Sequence, residues 1–461
     1  MSLSENFRTE KDTLGTIKVP KDAYYGAQTQ RAIENFQISN KRFPRSIIRA
    51  QGLIKASAAA TNMDLEILPP TIGKAIIQAA EEVVNGKWDD QFVLDVYQAG
   101  AGTSQNMNVN EVIANRATEL MDPRSGVERI HPNDHVNKNQ STNDTFHAAM
   151  QIAAIEMINE KLLPILQDLY KELDRKATEF MPIVKSGRTH LHDAVPMRLG
   201  QEFSGYAETI HSLIKQLQHS ADKLYEVGLG GNAIGTKGNV HPDYHAKIIE
   251  EINRRTNLPF RQPKVIFEFM QNTGAPIRVM TTLKEISVHL IKITSDLRLL
   301  ASGPRTGLAE ITLPSVQPGS TIMPGKVNPA ILEMTHMVCC QVIGYETAVA
   351  TAGTASQLEI NVMMPLIAYT LLESIDIMYH AVSTLISKCI SGIQGNENIC
   401  KQFMESSLAL VTALSPIMGY DRASQIGKEA DEKNITIKQT LEQKGLLTPE
   451  IEKALEPKGL I

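Results

Sequence analysis

The sequence predicts an all-α protein organised around a central bundle of five long helices. Three observations lead there. Apolar residues recur at three- and four-residue spacing over about 144–179, 199–228, 275–302, 329–352 and 365–393. Little of the β-branched alternation expected of strands lies between these runs. The stripes are also wide. Between 144 and 179 they take in Met150, Ile152, Ile155, Met157, Ile158, Leu162, Leu163, Leu166, Leu169 and Leu173, enough for burial on more than one side. Such a pattern argues for a long helical bundle.

The elements follow in chain order. Residues 1 to about 45 read as loop-rich, punctuated by Gly15, Pro20, Gly26 and Pro44. From Ser46 the run IIRAQGLIKASAAATNMDL turns helical and is broken by Pro69 and Pro70. TIGKAIIQAAEEVVNG is a second helix, with Gly86 placed to end it. These make a first domain, 1–140. The bundle occupies 141–393. Its first helix contains no glycine and one proline, Pro164, where a kink is expected. The Met, Leu and Ile stripes read as core packing rather than as a cofactor box. Residues 394–461 form a small third helical domain, in which LTPEIEKAL offers a threonine N-cap followed by proline at N1. A single bundle would leave part of so wide an apolar surface exposed, so oligomerisation is expected.

Composition narrows the function. The formal net charge of −5 carries no basic footprint for nucleic acid. No stretch reaches the length of a membrane span, and the N-terminal MSLSENFRTEKD has neither an apolar signal core nor a basic amphipathic character. Cys339, Cys340, Cys389 and Cys400 lack metal-ligand spacing, and the adjacent pair suits buried thiols in a reducing compartment. The expectation is a cytoplasmic protein with no membrane or nucleic-acid partner.

The chemistry gathers in a few polar stretches. QPGSTIMPGKVNP, 317–329, sets Ser320, Thr321, Lys326 and Asn328 among two glycines and three prolines, between two long helices. It can be neither helix nor strand, and it reads as a mobile lid or, by itself, as an ordinary polar connector. Four more stretches are dense in hydroxyls, amides and histidine. They are AGAGTSQNMNVNE (Thr103, Ser104), HPNDHVNKNQSTND (His131, Asn133, Asp134, Ser141, Thr142, Asn143), SGRTHLHD (Thr189, His190) and NPAILEM (Glu333). Taken singly, each could be caps and turns.

GSTIMPGKVNP is similar to the fumarase/aspartase superfamily signature GSSxMPxKxN, and the four other stretches resemble that family's motifs in the same order. The resemblance runs from about Arg8 to the C-terminus. It implies a homotetramer whose central helices share one core. It also implies anti elimination from a succinate skeleton through a carbanion delocalised into a carboxylate (the aci form). Neutral donors with one full cation suit such a dianion, because preorganised hydrogen bonds act where charge develops. By the family's pattern, Ser320 is the base. Thr103, Ser141, Thr142 and Thr321 hold the carboxylate that becomes the aci group, Lys326 and Asn328 hold the other, and Ser104 is a further substrate-binding residue. Asn143, Thr189 and His190 meet the leaving group, and Glu333 orients His190. His131, Asn133 and Asp134 correspond to a second anion site. A serine is a poor base until its alkoxide is stabilised, which lid N–H groups and Lys326 could do. Because the polar stretches lie far apart on long helices, with about 30 residues spanning roughly 45 Å, sites shared between subunits are expected.

The leaving group divides the family. Ser141-Thr142-Asn143-Asp144, GAGTSQNMN at 100–108 and SQLEINV at 356–362 are closer to aspartases. HPNDHVNK, EFSGY and CCQVIG are similar to class II fumarases. The expectation is aspartate ammonia-lyase, with fumarate hydratase as the alternative reaction. A non-catalytic, crystallin-like relative is a further class, against which Ser320, Lys326, Asn328 and His190 argue. Thr321, His147 and Asn232 depart from the family's usual serine, proline and threonine, and Met364 stands where members carry a charge. No nucleotide or flavin motif is present and no organic cofactor is expected. Some aspartases respond to a divalent metal, for which the sequence shows no ligand cluster.

Overall fold

In this computed structural model, residues 6–122, 124, 129–238 and 240–456 are described. The stretch read as loop-rich begins with a hairpin, β1 (Phe7–Asp12) paired antiparallel with β2 (Gly15–Pro20) from Phe7↔Pro20 to Asp12↔Gly15. Its residues alternate exposed and part-buried, the period of a strand with one covered face. Arg8 secures the hairpin by donating to the carbonyls of Pro20 (2.9 Å), Ala23 (2.6 Å) and Tyr25 (2.7 Å). Helix α1 (Ala27–Asn35) has no side-chain cap of its own. The Glu111 carboxylate supplies one, accepting from the N–H groups of Gly26, Gln28 and Thr29 at 2.8–3.1 Å.

Helices α2 (Arg45–Asp64), α3 (Pro70–Val84, with proline in its first turn), α4 (Thr103–Leu120) and α5 (Thr142–Met157) follow. Every residue of α5 from Asp144 to Met157 is buried, as the wide stripe implied. A π-helical turn, Ile158–Leu162, then leads into α6 (Leu163–Phe180). The irregularity expected at Pro164 thus falls in the turn before it, where proline's ring and missing N–H disturb the ladder.

A second hairpin, β3 (Val184–Thr189) with β4 (His192–Arg198), precedes α7 (Leu199–Ala221). Then come α8 (Tyr244–Thr256), α9 (Ile266–Gln271), α10 (Gly274–Leu300), α11 (Ala330–Gly353) and α12 (Met364–Lys388). The five long runs read from the sequence are therefore helices, and the protein is all-α with short hairpins.

The chain groups into two compact units. One comprises Met1–Leu163, Gln216–Glu285 and Gln341–Met378; the other comprises Pro164–Lys215, Ile286–Cys340 and Tyr379–Ile461. In the second, short helices after residue 396 enclose a core of Leu410, Leu414, Ile426, Ile437, Leu441 and Ile451. Its last helix, Pro449–Leu455, starts as expected, with the Thr448 hydroxyl accepting from Ile451 N at 3.3 Å. No helix among the described residues is long and apolar enough to cross a membrane.

Candidate active site

The first unit brings two helix N-termini together. Helix α4 opens on Thr103 and Ser104 after Gly102, whose φ of +81° is a left-handed conformation that favours glycine. Any side chain at 102 would also enter the Phe146 ring. Helix α5 opens on Thr142 behind Ser141, whose Oγ accepts from Asn143 N (3.2 Å) while Ser141 N donates to the Asp144 carboxylate (3.0 Å). Asn106 joins the two ends, its Nδ2 donating to Thr142 Oγ1 at 3.0 Å. The positive ends of two helices and their hydroxyls so form a concentrated set of anion-favouring donors.

Asp144 is fully buried. Its carboxylate also accepts from Gly230 N (3.1 Å) and Asn232 N (2.8 Å), which draws the loop 228–235 onto the start of α5. Asn232 sits at φ +59°, a conformation that asparagine tolerates better than threonine, so this departure from the family has a backbone reason. Asn143 braces the same loop by donating from Nδ2 to Ala233 O (2.8 Å). Burial pushes the Asp144 carboxyl up to about 7, against the backbone N–H groups and the Lys55 charge that favour the anion.

His131, Asn133 and Asp134 lie on an exposed one-turn segment. His131 Nδ1 accepts from the N–H groups of Asn133 (3.2 Å) and Asp134 (3.1 Å). His131 and Asn133 border an open cavity of about 430 Å³ with Arg129, Lys11 and Glu111.

In the second unit, His190 and Leu191 form the two-residue turn between β3 and β4, at φ +56° and +61°. Left-handed turns suit the strands' twist but normally take glycine or asparagine, so nothing in THLH announced a hairpin. Thr189 and His190 are exposed. Beneath them Arg188 makes a two-oxygen contact with Glu310 (2.9 and 3.0 Å), and Lys185 reaches the same carboxylate at 2.9 Å. Glu310 is fully buried, and two cations with such geometry are what make a buried carboxylate tenable.

The glycine- and proline-rich stretch is irregular throughout 313–329, as read. It is closed by Gly319 N donating to Lys326 O (2.7 Å) and by Asn328 Nδ2 donating to Gly319 O (2.7 Å). Ser320 Oγ accepts from Ile322 N (3.3 Å) and Met323 N (3.0 Å). Thr321 and Lys326 are exposed. Glu333, in the first turn of α11, faces Arg298 at 3.8 Å; among the described residues no hydrogen bond joins it to His190. No group of three or more His, Cys, Asp or Glu among the described residues is arranged to hold a metal ion.

Sequence reading overlooked Lys55 and Glu310. The signal for the first was present, since a lone lysine interrupts the apolar run GLIKASAAA; long-range partners alone reveal why it is tolerated.

Residues 15–344 match the family model described as lyase, and 410–461 match that of the fumarase C C-terminus. Fumarate hydratase 1, mitochondrial, of Arabidopsis thaliana is 45% identical over 97% of this chain and 92% of its own. Aspartate ammonia-lyase of Bacillus subtilis (strain 168) is 44% identical over 97% of this chain and 94% of its own. The solved fumarate lyase:delta crystallin of Brucella melitensis superposes with a TM-score of 0.94 at 42% identity, covering 98% of both chains. The chain belongs to the fumarase/aspartase superfamily of fumarate lyases.

Proposed function

We propose that this protein is an aspartate ammonia-lyase that interconverts L-aspartate with fumarate and ammonia. The observation that carries the chemistry is the Ser320 hydroxyl held by two lid N–H groups. Those donors stabilise an alkoxide more than a hydroxyl and so make serine a base. The alkoxide takes the C3 proton. The electron pair moves into the adjacent carboxylate, giving the aci form, with Thr103, Ser141, Thr142 and Thr321 as its donors and Ser104 as a further substrate contact. The pair then returns to form the C2–C3 double bond as the C2–N bond breaks. Lys326 and Asn328 hold the other carboxylate. Asn143, Thr189 and His190 meet the departing amine, with Glu333 orienting His190. His131, Asn133 and Asp134 form a second anion site. The working form is a cytoplasmic homotetramer in which more than one subunit contributes to each site, with no organic cofactor.

Thr142 in its STND setting and the GAGTS run favour the amine over water as leaving group. A second reading, class II fumarate hydratase, is favoured by the HPND segment and by a fumarate hydratase relative as similar as the aspartase one. The test is ultraviolet absorbance of the fumarate double bond on adding protein to L-aspartate and, separately, to L-malate. A rise with aspartate alone, accompanied by ammonia, is the expected result. A rise with malate alone replaces the first reading by the second, and silence with both overturns each.

A further inference from the structure

We infer that Lys55 is a positioning residue that sets the hydrogen-bond polarity of the dicarboxylate cradle and makes the Thr142 hydroxyl a donor to substrate. The inference rests on the proposed contact of Thr142 with a substrate carboxylate. Lys55 lies on α2, is 1% exposed, and has no place among the residues given roles above. Its Nζ donates to Asn137 Oδ1 (2.8 Å) and to Gln140 Oε1 (3.0 Å).

The consequences run outward one residue at a time. Burial lowers the Lys55 pKa to about 7 while the Asp144 charge favours the ammonium, which has three donors and no acceptor and so admits only the carbonyl ends of the two amides. Asn137 Nδ2 is thereby turned to Gln140 O (3.1 Å), and Gln140 Nε2 to Val136 O (3.0 Å). With its oxygen facing inward, Asn137 also accepts from Asn110 Nδ2 (3.2 Å) and Asn106 Nδ2 (3.4 Å). That orients Asn106, whose Nδ2 donates to Thr142 Oγ1 (3.0 Å), while the Thr145 hydroxyl beside its Oδ1 (3.4 Å) gives its hydrogen to Ser141 O (2.8 Å). Because Thr142 Oγ1 receives a hydrogen from behind, its own hydrogen points elsewhere, and among the described residues no acceptor takes it. The half-exposed hydroxyl is thus preset to donate to an anion. With Asn137 reversed, its Nδ2 would face Asn106, which would turn its carbonyl to meet it or to Thr142, and Thr142 would then donate into the protein instead. One buried cation therefore does what sequence proximity could not, and selects one of two near-isosteric amide orientations along the whole relay.

The test is a double-mutant cycle read by calorimetric binding of succinate, a dicarboxylate without a leaving group. Thr142→Val is expected to weaken succinate about tenfold, the loss of one hydrogen bond to a charged group. Lys55→Met should weaken it comparably, and the combined variant should be no weaker than either. Lys55→Met with unchanged affinity, or losses that multiply, would overturn the inference while leaving the cradle in place. Unchanged affinity in Thr142→Val, or no succinate binding by the parent protein, would overturn the cradle reading and this inference together. If Lys55→Met does not fold, position 137 carries the test. Asn137→Asp keeps an acceptor toward Lys55 and should hold affinity within about twofold, whereas Asn137→Leu should fall about tenfold. Equal losses in both would overturn the inference.

Discussion

Two side chains show how environment decides chemistry at the residue scale. Ser320 presents its oxygen to two backbone N–H groups, a setting that tames an alkoxide. Replacing it by alanine should lower kcat by about 10²–10⁴-fold, the usual share of a positioned base, with unchanged assembly and near-normal succinate binding. A kcat within a factor of a few would refute the assignment. His147 illustrates the opposite case. It is fully buried, stacks on Phe269 at 4.3 Å between centroids, and among the described residues neither ring nitrogen has a hydrogen-bond partner. Burial lowers its pKa from 6.5 to about 4. The unfolded chain takes up that proton near pH 6.5, the native state only near 4. The contribution is therefore complete above 6.5 and is lost as pH falls through 4, amounting to about 3 kcal/mol. His147→Leu should flatten the fall of the urea midpoint between pH 6.5 and 4, and an unchanged slope would count against it. The family contrast at 147 was legible in the sequence. The absence of partners was not, because it depends on what α5 and α9 place around the ring.

The two glycines of the 317–329 loop do different work at the element scale. Gly325 has φ +81° with nothing among the described residues within 4 Å of where its Cβ would be, whereas a Cβ on Gly319 would lie 2.6 Å from Asn328 N and 2.9 Å from Lys326 O. Gly325→Ala therefore incurs only left-handed strain, about 1–2 kcal/mol. Gly319→Ala must open the Gly319–Lys326 closure that shapes the Ser320 turn. We expect kcat to drop about tenfold or more for Gly319→Ala and about twofold for Gly325→Ala, since small misplacements at a reacting centre are amplified. Steady-state kinetics of the two variants side by side would show this, and a larger loss for Gly325→Ala would contradict it. That this stretch was a loop could be read from its glycines and prolines alone. The hairpin carrying His190 could not, because its turn uses two non-glycine residues at positive φ.

Apolar side chains remain uncovered on the long helices at the scale of the whole molecule. Val288 is 50% exposed, Leu299 40% and Met337 71%, on α10 and α11. Exposed apolar residues on core-type helices are best accounted for by other copies of the chain. We expect a tetramer by light scattering. If subunits share sites, unfolding and refolding an equal mixture of Ser320→Ala and Thr142→Val should, at limiting aspartate, restore activity to roughly a quarter of the parent level, since each intact site draws one sound residue from each variant. A stable monomer, or no recovery from mixed tetramers, would count against shared sites.

Although α1, α4, α8 and α9 were not read from it, the sequence determined the five long helical runs, the two helices before them and the order of the polar motifs. They follow from properties local along the chain: apolar periodicity, proline and glycine breaks, and capping residues such as Thr448. What the tertiary structure alone decided was which polar atoms face which. Lys55 lies 82 residues from Asn137, and Asp144 lies 86 from Gly230. Glu310 lies 122 from Arg188. A buried charge is stable only where folding delivers partners with the right donor or acceptor end, and that matching is a property of packed elements rather than of any stretch read alone.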